Sequence, residues 1–145
     1  MAVLLNDDLA GLVLDRAAGL AADTPPAALL YVSVIDDASV AALEFMDDAV
    51  DPKVRLSDEA GMLFEEARTV ARRRGLEAET TVLHAGDRDV ATVLAAHAAA
   101  WGATVIVLSE PRRGRLFGRI GRTMAGALER TVSSGVRVVR VTSAD

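Results

Sequence analysis

Residues 108–123, LSEPRRGRLFGRIGRT, carry the densest chemistry in the chain: Arg112, Arg113, Arg115, Arg119 and Arg122 interleaved with Gly114, Gly118 and Gly121, closed by Thr123. Guanidinium groups are planar forked donors that match phosphate and carboxylate oxygens. A glycine-containing loop running into a helix is also a common way to hold a phosphate through backbone amides. An anion site is therefore the chemistry that these residue types support, whether for a nucleotide, another phosphorylated metabolite or an acidic patch on a partner protein. The plainer reading is a solvated basic loop. Leu116, Phe117 and Ile120 alternate with the arginines, as in a short amphipathic segment docked on the protein body, and the segment is too short for membrane contact to be expected.

Other reactive side chains are sparse. Asp7, Asp8, Asp36 and Asp37 form two acidic pairs at neighbouring strand ends, where they could hold a magnesium ion or, more plainly, serve as turn and cap carboxylates. His84 and His97 are separated by a turn and a helix, with no second ligand at useful spacing for either, so no metal site is expected. His97 sits among alanines and reads as a surface or half-buried helix residue. No nucleophile-base pair and no serine elbow is present, so the residues give no support for an enzyme.

Charge sharpens the contrast. Five arginines against Glu110 alone give residues 108–123 a charge of +4 within a chain of -5, which leaves -9 on the remainder. A broad basic face is lacking, which argues against nucleic-acid binding and leaves room for one local anion site. The chain has no cysteine, which removes disulfides, zinc-thiolate sites and thiol chemistry together. No apolar N-terminal stretch resembles a signal peptide or membrane span, and a cytoplasmic location is the expectation.

The elements that must position these residues alternate along the chain. Apolar runs at Val3 to Leu5, Leu29 to Ile35, Thr80 to Leu83, Val105 to Leu108 and Val136 to Val141 predict five strands. The second and fourth are almost continuously apolar, as central parallel strands covered on both faces must be. Between them, helical spacing joins Leu9, Leu12, Val13, Ala17 and Leu20; Met62, Leu63, Ala67 and Val70; Val90, Val93, Leu94, Ala98 and Trp101; and Met124, Leu128 and Val132. Ser57 and Asp58 are candidate caps for the second helix, Gly75 for its end, and Asp87 for the start of the third. Residues 36–56, acidic and interrupted by Pro52, predict an irregular or partly helical excursion over one sheet edge. One domain is expected, an α/β fold with a five-stranded parallel sheet and helices on both faces. In such sheets ligands sit beyond the carboxyl ends of the strands, where strand order reverses. Of the loops leaving strands, only residues 108–123 combine glycines, cations and an imminent helix.

The run HAGDRDVATVLAAHAAAWGATVIVLSE, residues 84–110, resembles the glycine-plus-acid turn, helix and fourth strand of the universal stress proteins. LLYVSVID is similar to the second strand of that family, and SSGVRVVRV to its last. The resemblance covers most of the chain and implies a single-domain Rossmann-like fold, of the adenine nucleotide alpha hydrolase type, with a regulatory role in stress response. Family members that bind ATP share the signature G-x2-G-x9-G-[ST]. Laid on this chain without gaps, it falls on Ser109, Arg112, Arg122 and Thr123, and only the threonine agrees.

Arginine at such positions has two opposite physical meanings. A Cβ where φ is positive costs on the order of 1 kcal/mol, and the long side chains would overhang the space of the phosphates. The same guanidinium groups could equally grip a phosphate directly. The resemblance implies nucleotide contacts at Asp7 (or Asn6), Val34, Leu108, Ser109, Arg112, Arg122, Thr123 and Met124, while valine at position 34 is explained as well by the core. The leading expectation is a divergent regulatory or binding domain that lacks standard ATP binding and is not an enzyme. The alternatives are a nucleotide binder or slow ATPase, with ATP and Mg²⁺, that uses arginines for loop glycines, and a domain that associates with a membrane transporter. The family also dimerises through its last strand. The resemblance thus implies a homodimer through Val136, Val138, Val139, Arg140 and Val141, unless Arg137 and Arg140 act as gatekeepers against edge pairing.

Overall fold

A computed structural model describes residues 1–4, 8–44, 51–110 and 124–142. Five strands form one sheet: β1 (Ala2–Val3), β2 (Leu29–Asp36), β3 (Ala78–Gly86), β4 (Val105–Ser109) and β5 (Arg137–Val141). The helices are α1 (Ala10–Asp23), α2 (Asp37–Glu44), α3 (Pro52–Arg73), α4 (Val90–Trp101) and α5 (Met124–Thr131). Spatial order is β3-β2-β1-β4-β5, and every pairing is parallel. The parallel α/β sheet expected from the alternation, and the Rossmann-like fold that the resemblance implies, are observed. β2 and β4 are interior strands on either side of β1, which is central; β3 and β5 are the edges.

Strand alternation sorts the core into two layers. Ala2, Leu29, Tyr31 and Val107 face α1 and α3, whereas Val3, Leu30, Val32, Ile106 and Leu108 face α4 and α5. Burial of each such leucine or valine contributes roughly 1.5–3 kcal/mol. Tyr31 is the largest fully buried side chain. Its hydroxyl donates to the Leu14 carbonyl at 3.3 Å, and burial, reinforced by the charge of Asp15, pushes the phenol up to about 12.

Helix starts differ from the sequence expectation. α3 begins at Pro52, with Asp51 as its cap accepting from the Lys53 amide at 2.9 Å, so Ser57 and Asp58 lie inside the helix. Proline reads there as a first-turn residue, with its missing donor on an amide that has no intrahelical partner. α2 occupies the start of the acidic excursion and contacts β2 and α3, with Asp36 accepting from both the Ser39 amide and hydroxyl. α4 is capped by Asp89, not Asp87: its carboxylate accepts from the Thr92 amide at 3.0 Å and hydroxyl at 2.8 Å. Arg88 closes the preceding turn by donating to the His84 carbonyl at 2.7 Å and the Ala85 carbonyl at 3.1 Å.

The apolar stripes are also displaced from the large side chains. α3 buries Ala60, Phe64, Ala67 and Ala71, while Met62 is 76% exposed. On α1, Leu12 is likewise exposed and Val13, Leu14, Ala17 and Ala18 are buried. Alanine on these faces leaves little bulk between helix and sheet, and Met62 and Leu12 lie outside the buried stripes. Gly75 ends α3 as expected, at φ 72°, with the Leu76 amide donating back to Ala71 and the Gly75 amide to Arg72, each at 3.0 Å.

The two candidate caps of α4 separate in a urea titration. Asp89→Ala should lower stability by about 1 kcal/mol, and Asp87→Ala should leave the midpoint unchanged.

Candidate functional site

Strand order reverses between β1 and β4, since β1 continues to β2 on one side and β4 to β5 on the other. Right-handed crossovers carry α1 and α3 to one face and α4 and α5 to the other, which opens a crevice at the carboxyl ends of the two strands. Leu4 and Ser109 stand at those ends and both are buried. The chain leaves β4 through Glu110, whose amide donates to the Val141 carbonyl at 2.8 Å, and re-enters described structure at Met124, the first residue of α5. Both ends of the basic segment are thereby anchored at the crevice.

The expected nucleotide residues divide into three groups. Val34, Leu108 and Met124 share one apolar layer under α4 and α5. Leu108 is fully buried, so its side chain is core and only its backbone faces the strand end. Val34 and Met124 are half-buried against the same layer. Ser109 closes β4, in register with Val141. Asn6, Asp7, Arg112, Arg113, Arg115, Arg119, Arg122 and Thr123 lie outside the described residues.

Asp36 and Asp37 of the crevice side act structurally. Asp36 caps α2 through Ser39, and Asp37 opens the first turn of that helix. Among the described residues no group of three His, Cys, Asp or Glu is placed to hold a metal ion. His84 and His97, distant in sequence, meet in one groove of about 370 Å³ that Arg88 and Val93 also line. Sequence spacing missed this pair because the turn between β3 and α4 folds the helix back along the strand. Arg88 is committed to the turn carbonyls.

Arg140 has partners that sequence did not show. It reaches Glu129 of α5 at 2.8 Å and Glu110 at 3.3 Å. The hydrogen bond that it donates to Glu129 chiefly, with the charge of Glu110, raises its pKa against a smaller desolvation effect. Side chains two apart on β5 share a face, which sets Arg140 with Val138 on the α5 side and Arg137, Val139 and Val141 on the other. The charge of Arg140 is thus neutralised within the chain, which weakens its expected role as an edge gatekeeper. The bridge also fixes Glu110, the residue from which the basic segment departs.

Solved structures share this fold. The chain is 25% identical to a protein of the universal stress protein family from Burkholderia pseudomallei, covering 97% of this chain and 94% of the other at a TM-score of 0.64. The chain has the universal stress protein fold. It is similar as well to a universal stress protein in complex with cAMP, at 16% identity, 99% and 96% coverage and a TM-score of 0.66. A universal stress protein from Archaeoglobus fulgidus in complex with dAMP matches at 18% identity, 96% and 94% coverage and a TM-score of 0.60. No family model matches the sequence, and no curated protein matches it significantly. Identities of this size preserve the universal stress protein layering and strand order while leaving loop residues free to differ.

The Arg140 bridge is solvent-accessible, with 37% of its side chain exposed, so its contribution is small. Arg140→Gln should cost less than about 1 kcal/mol in urea unfolding, and the difference should shrink further in high salt.

Proposed function

We propose that this chain is a universal-stress-type regulatory binding domain, divergent in its loop, whose ligand or partner site is the basic segment at the carboxyl ends of β1 and β4. One observation carries the reading: strand order reverses between β1 and β4, and the arginine-rich residues 111–123 span from Glu110 at that crevice to Met124 at the start of α5. A helix start favours anions through its unpaired amides and dipole, and five arginines add forked donors beside it. Standard ATP recognition through loop glycines is not expected of this segment, because Arg112 and Arg122 stand at signature glycine positions and Ser109 at the first. A non-enzymatic role follows from the same reading.

A second reading has its own support. Structural neighbours are universal stress proteins in complex with cAMP and dAMP, and in this reading Arg112, Arg122 and Thr123 hold an adenine nucleotide by side chains, with Val34 beside the base and Asp7 or Asn6 at the adenosine. A slow ATPase using Mg²⁺ belongs to this reading. The two separate by isothermal titration with ATP and Mg²⁺, using wild type and Arg112→Gly/Arg122→Gly. The first expects no heat from wild type and recovered binding in the double variant. Binding by wild type that falls tenfold or more in the variant would overturn the first and support the second.

The partner expected at β5 is a second copy of this chain. Among the described residues β5 pairs only with β4, so its other side presents backbone donors and acceptors for a strand from outside. Val136, Val138, Val139 and Val141 supply a β-branched border, and the paired state of Arg140 removes one repulsive charge. Sedimentation across a range of concentrations should give twice the chain mass, and a constant monomer mass would refute pairing. Among the described residues no helix is long and apolar enough to cross a membrane. A cytoplasmic, stress-related role accords with the proposal.

A further inference from the structure

The end of the sheet opposite the crevice holds a cavity of about 350 Å³. It lies at the amino ends of the strands, where Leu29 starts β2, Val105 starts β4 and Arg137 starts β5. Its size is within the range of small-molecule pockets. Leu20 and Ala21 from the last turns of α1 form one wall, and Trp101 at the end of α4 forms the other. The lining is largely apolar, and its charged side chain is Arg137.

Two features make this a built pocket with a polarity of its own. The indole N–H of Trp101 donates to the Glu79 carboxylate at 2.7 Å, so the polar edge of the ring is engaged and hydrocarbon is left to line the cavity. Arg137 is held at the mouth by its amide, which donates to the Thr104 carbonyl at 2.9 Å. Its guanidinium has no ion-pair partner among the described residues, in contrast to Arg140 three residues on. The rim thus offers a forked cation above a largely apolar chamber, and among the described residues no carboxylate side chain lines it.

We propose that this cavity is a second ligand site, which takes a small amphipathic carboxylate with its hydrocarbon part against Leu20, Leu29 and Trp101 and its carboxylate on Arg137. An apolar tail supplies most of the attraction through buried area, and the guanidinium selects the acid over a neutral analogue. The site is independent of the basic segment and of whatever binds there.

The single tryptophan of the chain lines the cavity, which makes its fluorescence a direct reporter. Titration of the whole protein with octanoate should shift Trp101 emission saturably, with an affinity at least tenfold higher than for octanol. Arg137→Gln, an exposed substitution, should reduce octanoate binding to the octanol level. Ala28→Phe, which adds bulk at the exposed mouth, should abolish both. Absence of a saturable shift, equal affinity for octanoate and octanol in wild type, or unchanged octanoate binding in Arg137→Gln would each overturn the proposal. Circular dichroism confirms that the variants are folded, and Arg137→Gln decides the matter alone if Ala28→Phe is not.

Discussion

The sheet depends on β1. Its two residues, Ala2 and Val3, lie between β2 and β4 and carry the pairing that joins the two halves. Both are fully buried, one in each core layer. Because the chain runs from β1 outward to β2 and β3 and then returns across to β4, right-handed connections send helices to opposite faces. The crevice at the carboxyl ends, the cavity at the amino ends and the division of the core all follow from that reversal.

Much of this was legible because parallel strands buried on both faces have a distinctive composition. LLYVSVI and VIVL have no polar face to offer, and in the structure each has a strand on either side. Helix faces were harder to read. α3 buries alanines around Phe64, and since alanine carries a weak hydrophobic signal, the eye follows Met62, which points to solvent. Cap assignments failed for a related reason: in both DPKVRLSD and HAGDRD more than one acid is available, and the choice depends on where the preceding turn ends. Arg88 settles it in the second case by binding two carbonyls, which places Asp89 at the helix start.

The candidate site was legible by position more than by contact. Sequence pointed to the segment after β4, and strand order puts β4 at the reversal point. Sequence also treated Leu108 as a ligand residue, whereas its burial gives the side chain to the core. The partners of Arg140 could not be read from spacing, since Glu110 follows β4 and Glu129 lies on α5, and they converge only after α5 packs against β5. The amino-end cavity had no motif at all. It is made by the ends of helices and strands that the sequence scatters from Met1 to Arg137.

Pairing distance along the chain sets an order of events that the finished sheet conceals. β4 meets β5 across one short helix, with Val105 opposite Arg137, while β1 must find Val107 from Ala2. Closing that long loop costs more chain entropy before any contact repays it. The β4-α5-β5 unit should therefore assemble locally, and the insertion of β1 between β2 and β4 should be the late step that commits the whole domain. A strand of two residues would then act as the latch of folding cooperativity, and loosening it would let the two halves breathe apart before either half unfolds.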